Sequence, residues 1–225
     1  MSKTINYLLV LDADNYIVNT SKRIESYIHP NQDIIFSIRF HNNEIVAGNY
    51  IVKNTAWSLN FLQDWMLSEN NYRGYNFDNG ALHWLLLNRL SKKNDPCRSY
   101  IEPTSLQKYD QFVKCFHLKL KETKCKDMDW NHIKILPRWK SFFIDGWLTN
   151  EKWSEESFIL HGRKDNLEPI KSNSIPFTKW KNMLLTSAQK QQLERDTGWD
   201  ELSCVQNGQQ ISDSKLYTQR NFSLQ

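Results

Sequence analysis

Ile5-Asn6-Tyr7-Leu8-Leu9-Val10-Leu11 runs directly into Asp12-Ala13-Asp14-Asn15, and this junction decides the fold. A nearly unbroken apolar run of that length, rich in β-formers, predicts a strand buried on both faces, as in the parallel sheet of an α/β protein. Polar residues at its carboxyl end then stand where such sheets bind ligands. Two aspartates one residue apart on an extended chain point the same way and together can hold one oxygen-seeking cation. Mg²⁺ and Mn²⁺ take carboxylates together with substrate phosphates, which leaves positions open for a diphosphate. Asp-x-Asp also arises often by chance, and on this triplet alone a polar turn leaving a strand is the favoured reading of Asp12 and Asp14.

Working outward, residues 33–39 and 45–52 read as two more strands, with Gly48 interrupting the second as a bulge or a close approach of ligand to backbone. Asn54 or Thr55 can cap a helix running to about Glu69. Trp57, Phe61 and Trp65 recur every four residues, with Leu62 and Met66 beside them, as a core-facing stripe. A second helix follows Asp78-Asn79-Gly80. Ser157-Phe158-Ile159-Leu160-His161-Gly162 reads as a short late strand that delivers a histidine to a loop. Residues 1–180 form the α/β domain, a mixed sheet flanked by helices. Residues 181–225 form a polar C-terminal extension, expected to be disordered over 206–225.

Composition excludes several classes. With 40% apolar and 24% charged side chains the chain is an ordinary globular domain with an appendage. The net charge of +4 is mild, and Lys114 to Lys126 reads as a solvated surface, so nucleic acid is not an expected partner. No apolar run approaches the roughly 20 residues of a membrane span. The start Met1-Ser2-Lys3-Thr4 does not read as a signal peptide. Cys97, Cys115, Cys125 and Cys204 form no CxxC pair, which argues against zinc. Asn19-Thr20-Ser21 and Asn221-Phe222-Ser223 match the N-glycosylation triplet, a match that is common by chance.

Haloacid-dehalogenase-like phosphatases also begin with an apolar strand and Asp-x-Asp. That motif wants Thr or Val two positions after the second aspartate, where this chain has Tyr16, and a late acidic pair for magnesium. No Asp-Asp occurs here.

The order of blocks points elsewhere. Asp12-Ala13-Asp14 is followed by residues 39–54, then Trp57 and Trp65, then Gly74-Tyr75-Asn76-Phe77-Asp78-Asn79-Gly80-Ala81-Leu82-His83. Asp145-Gly146-Trp147-Leu148-Thr149-Asn150 and Phe158-Ile159-Leu160-His161-Gly162 complete the series. Over roughly residues 5–180 this order resembles a nematode-type domain family of unknown function. That family is itself similar to the galactosyl-, mannosyl- and xylosyltransferases of the GT-A superfamily.

The resemblance implies a metal-dependent transfer of a sugar from a nucleotide-diphosphate donor, UDP-linked, onto a glycan or protein acceptor in the Golgi or ER lumen. It implies that Asp12, Asp14 and His161 hold Mn²⁺ (or Mg²⁺), and that Gly48 and Asn49 line the donor pocket. Asp78 would orient the sugar and acceptor hydroxyl, where an ordinary helix N-cap is the alternative. Glu44 could contact donor or metal, or pair with Arg39. Asp145 and Trp147 could border an acceptor cleft or simply pack. A luminal address makes Cys97, Cys115 and Cys125 candidates for one disulfide.

Related sequences tend to carry Arg before the aspartate of the Asp-Gly-Trp block, where this chain has Ile144. In a full GT-A domain several strand–helix units precede the Asp-x-Asp strand. Eleven residues precede Asp12 here, which implies an N-terminally truncated fold with one sheet edge uncovered and a weak grip on the base. A non-catalytic remnant that binds carbohydrate or a partner chain is the other reading.

Overall fold

The structure is a computed structural model of the chain, and it describes residues 5–39, 42–90, 95–100, 102–122, 131–136, 140–146, 152–162 and 184–197. Among the described residues the strands are β1 (Tyr7–Val10), β2 (Asn15–Ile17), β3 (Ile34–Ser37), β4 (Tyr50–Lys53), β5 (Ile133–Leu136), β6 (Phe143–Asp145) and β7 (Ile159–His161). The helices are α1 (Ala56–Asn71), α2 (Phe77–Leu90), α3 (Leu106–Glu122) and α4 (Ser187–Thr197).

The strands form two mixed sheets. The first has the order β1-β4-β3-β5, antiparallel except for the parallel β3–β5 pair, and the second has the order β2-β7-β6. In the second, β7 runs antiparallel to β2 and parallel to β6. The mixed α/β architecture with flanking helices therefore stands, but as two sheets rather than one.

Alternation along each strand sorts the apolar side chains into layers. Ile34, Phe36 and Val52 face the helices and meet Phe61, Trp65, Leu82, Leu86, Phe112 and Phe116. Ile35 and Ile51 face the other way and meet Phe142, Phe143 and Ile159, so this cluster fills the space between the two sheets. Ile144 and Leu160 point to the far side of the second sheet, where Trp153, Val18 and Leu185 cover them. The extension is docked at Leu184 and Leu185, since Leu185 is buried and Leu184 bridges Trp153. The segment 206–225 lies outside the described residues.

Two expectations need correction. The strand over 5–11 is neither parallel nor buried on both faces. β1 pairs antiparallel with β4 at the edge of its sheet, with Leu8 51% exposed. Tyr7 and Leu9 find the inter-sheet cluster, and Val10 touches the helical one, but Leu8 joins neither cluster among the described residues. On α1, Trp57, Phe61 and Trp65 do pack against the core, whereas Met66 is 54% exposed. One residue past Trp65 is about 100° around the helix, which carries Met66 off the stripe.

Thr55 is the N-cap of α1. Its hydroxyl accepts from the Ser58 N–H at 3.2 Å and donates to Asp33 at 2.7 Å, which fastens the helix to the start of β3. Asn19 is buried, its amide donating to the Glu155 carbonyl at 2.9 Å, so this triplet offers no accessible acceptor for a glycan. Cys97 and Cys115 form a disulfide with Cα atoms 5.6 Å apart. It ties the 3-10 turn at Pro96–Tyr100 to α3. Cys125 and Cys204 lie outside the described residues.

Candidate metal centre

The register of the second sheet builds the centre. Asn15 stands opposite His161 on β2–β7, and Asp145 stands beside His161 on β6–β7. Strand parity puts Asp145 in line with Phe143 and His161 in line with Ile159, on the face turned to the first sheet. The Phe143 ring lies edge-on to the His161 ring at 5.8 Å.

Asp12 and Asp14 fall in the turn between β1 and β2, not on extended chain as expected from their alternation. The turn is pinned at Asp14, whose carbonyl accepts from the Gly162 N–H at 3.2 Å. Gly162 has φ 83°, a left-handed conformation that glycine adopts without strain. His161 Nε2 ends 3.1 Å from Asp12 Oδ2 and 3.4 Å from Asp14 Oδ1. One ligand atom from each of Asp12, Asp14 and His161 lies within 4.8 Å of the others. The side chains of Asp12 and Asp14 are 43% and 22% exposed and that of His161 only 5%, so the cluster opens outward on its carboxylate side.

Behind the imidazole lies a chain of buried charges. His161 Nδ1 donates to Asp145 Oδ1 at 2.7 Å. Asp145 Oδ2 lies 3.7 Å from Arg39 Nε, and Arg39 Nη1 donates to Glu44 Oε2 at 2.8 Å. Glu44 Oε1 accepts from the Tyr109 hydroxyl on α3 and from Asn76 just before α2.

Burial pulls the His161 pKa down, but the hydrogen bond and charge of Asp145, with the charge of Asp14, outweigh it and leave the ring more basic than usual. Burial raises the Glu44 carboxyl, and Arg39 and Tyr109 only partly offset that. Four carboxylates (Asp12, Asp14, Asp145 and Glu44) thus face one guanidinium and one imidazole. Such an excess of negative charge around two oxygens and one ring nitrogen suits a divalent cation. The mixed donor set suits Mn²⁺ better than Mg²⁺, which prefers oxygen alone. A carboxylate on the distal ring nitrogen is the usual support for a metal-bound histidine.

The segment before β4 shapes the other wall. A Cβ added to Gly48 would stand 2.0 Å from Asp12 Oδ2, so the missing side chain makes room for that carboxylate. Asn49 Oδ1 accepts from the Asp12 N–H at 3.2 Å and from Asn15 Nδ2 at 2.8 Å. Asn15 Nδ2 also donates to the Asp12 carbonyl at 2.6 Å, and the two amides hold the Asp12 backbone from both sides.

The segment is anchored in turn to α2. Asn79 Oδ1 accepts from Ala47 N–H at 2.6 Å, and His83 Nε2 accepts from Ile45 N–H at 3.2 Å. His83 Nδ1 faces the Asn79 carbonyl, which fixes the neutral tautomer with the proton on Nδ1. Complete burial takes its pKa down to about 4.

Of the residues singled out from sequence, Asp12, Asp14 and His161 come together, with Gly48 and Asn49 against Asp12. Glu44 is 1% exposed and pairs with Arg39; it meets the centre only through Arg39 and Asp145. Asp78 is exposed in the first turn of α2 and accepts from the Asn79 N–H at 2.7 Å. Ile144 packs beneath Trp153, and Arg39 supplies the guanidinium beside Asp145. Trp147 lies outside the described residues.

Sequence reasoning missed Asn15 altogether and gave Asp145 a different setting. The signal for Asp145 was present: Phe143-Ile144-Asp145 and Ile159-Leu160-His161 are matching apolar pairs, each closed by an ionisable residue. Parallel pairing brings such ends together.

Residues 1–176 match the family described as "Protein of unknown function, DUF273". No curated protein matches the chain.

Proposed function

We propose that this chain, which belongs to the DUF273 family, is a GT-A-like glycosyltransferase domain that moves a sugar from a nucleotide-diphosphate donor, UDP-linked, to a glycan or protein acceptor with Mn²⁺ (or Mg²⁺). The observation that carries this reading is the convergence of Asp12, Asp14 and His161 at an edge where Asp12 remains 43% exposed. Asp12 and Asp14 would hold the ion with His161 Nε2 as third ligand, and Asp145 keeps the imidazole turned toward them. A divalent ion bound there supplies Lewis-acid stabilisation of the departing diphosphate.

The chain's own groups do the positioning. Asn15 and Asn49 fix the Asp12 backbone, and Gly48 leaves its carboxylate room. Asp78, an exposed carboxylate on the helix that anchors the Gly48 segment, would orient an acceptor hydroxyl. Glu44 works from the interior. The Cys97–Cys115 bridge supports an oxidising compartment such as the Golgi or ER lumen. No helix among the described residues is long and apolar enough to cross a membrane.

Calorimetry with UDP on the full chain tests the reading. Heat of UDP binding is expected with Mn²⁺ present, and none after chelation or in Asp14→Ala. UDP binding of equal strength with and without Mn²⁺ would sink the proposal.

Gly48→Ala gives a sharper expectation. The atom that a new Cβ would meet is the end of a flexible side chain, so the fold yields by turning Asp12 away. The metal-free melting point should change by no more than roughly 1 kcal/mol's worth, as for ordinary substitutions, while most of the Mn²⁺-dependent stabilisation disappears. A Gly48→Ala chain with the parent's full Mn²⁺ response would show that Asp12 does not ligate from this position.

A further inference from the structure

We infer that Arg39 is a positioning residue of the centre, one that aims His161 by drawing the Asp145 carboxylate from the interior with its charge; the inference rests on the metal reading above. Asp145 divides its two oxygens, Oδ1 to the imidazole at 2.7 Å and Oδ2 toward Arg39 Nε at 3.7 Å. Arg39 in turn divides its guanidinium between Asp145 and Glu44, whose own second oxygen is taken by Tyr109 and Asn76. Each group in this series is paired with the next, by a hydrogen bond at every link except Asp145–Arg39, where the contact is one of charge. It starts on α3 and at the entry to α2 and ends at His161 Nε2.

Burial makes the arrangement rigid. Side-chain exposure is 1% for Glu44, 16% for Arg39, 2% for Asp145 and 5% for His161. A buried ion pair is seldom the cheapest route to stability, because well-packed apolar residues usually do as well. Here the pair has a second use. A planar guanidinium offers several donors along fixed directions, so it serves two carboxylates from different parts of the chain at once. A lysine ammonium at the same place is a point charge and must favour one of them.

The test follows the Nδ1 proton of His161 by proton NMR on the full chain, assigned by its loss in His161→Gln, together with Mn²⁺ affinity by calorimetry. Arg39→Met combined with Glu44→Gln removes both partners, so no Glu44 charge is left alone in the interior. Arg39→Lys keeps the charge and guards against a fold lost for electrostatic reasons.

Both variants are expected to lose the hydrogen-bonded Nδ1 resonance and to bind Mn²⁺ about 10- to 100-fold more weakly, the usual effect of removing support behind a metal ligand. A purely structural role would lower the melting point and leave the resonance of the folded protein in place, and that persistence would overturn the inference. If the parent chain takes up no Mn²⁺, the metal reading falls by itself. The Nδ1 resonance then decides the role of Arg39: lost in both variants, the role stands; retained in either, it falls.

Discussion

An Asp12→Ala, Asp14→Ala double variant is expected to lose the entire Mn²⁺-dependent rise in melting temperature while its metal-free melting point stays near that of the parent. A ligand that binds only the folded chain stabilises it by mass action, by about 2.7 kcal/mol at a hundred times its dissociation constant. For a domain of this size that corresponds to a shift of roughly 5–10 °C. Removing both carboxylates leaves His161 alone, and one imidazole does not retain Mn²⁺ at such concentrations.

The metal-free comparison depends on pH, with a definite sign. The folded pKa of His161 is raised, so the stability its proton contributes is complete below the unfolded value of 6.5 and is lost as pH rises through the folded value. Asp14 supports that proton and Asp145 supports it more. At acidic pH the double variant should therefore show some loss without metal, and in mildly alkaline buffer almost none. Melting curves with and without Mn²⁺, run in alkaline buffer, check both statements. An undiminished Mn²⁺ shift in the double variant would place the metal elsewhere in the chain.

The elements that sequence conveyed well were those with a local physical cause. The α1 stripe follows from a four-residue recurrence of large aromatics, and its cap from Thr55 standing before them. β3 follows from Ile34-Ile35-Phe36, whose neighbouring side chains enter two different apolar layers and are all buried. The β1 run read correctly as a strand and wrongly as a central one. Apolar content says that a strand can be buried, but it is the neighbouring strands that decide whether it is.

Helix α4 went unread although its start is written in Thr186-Ser187-Ala188-Gln189. Gln189 N–H donates to the Thr186 hydroxyl at 3.2 Å, and Thr186 N–H donates to Gln189 Oε1 at 3.0 Å, a reciprocal capping box. Its polar composition masked that signal.

The site divides in the same way. Asp12, Asp14 and His161 were legible as chemistry at the ends of strands, but their distances rest on the β2–β7 register, which no short window contains. Asn15 was invisible because its task is to hold backbone, and any small amide after Asp-x-Asp looks like turn. Gly48 was open to two readings, a bulge or a close approach of ligand to backbone, and what lies against it is the Asp12 carboxylate. Arg39 and Glu44 are five residues apart and were open to several readings. The 2.8 Å contact inside the fold selects the ion pair.

Reducing the Cys97–Cys115 bridge is expected to cost about 3 kcal/mol, the chain-entropy value for a loop of this order, given a sequence separation of 18. The melting point should fall by roughly 6–12 °C at this chain size. The reduced chain should still fold at room temperature, because the apolar face of α3, with Tyr109, Phe112, Val113, Phe116 and Leu120 all buried, packs into the core by itself. α3 also brings Tyr109 to Glu44 and His117 to the Asn43 carbonyl. Its apolar face should therefore keep the interior end of the charge chain in place, and Mn²⁺ affinity of the reduced folded protein should change little. Melting curves of the Cys97→Ala, Cys115→Ala variant, with Mn²⁺ titrations below the transition, measure the two quantities separately. A melting point equal to that of the oxidised parent would mean that the bridge constrains nothing. A loss of Mn²⁺ binding in a chain that is still folded would mean that α3 is held to the sheet by the disulfide and not by its apolar face.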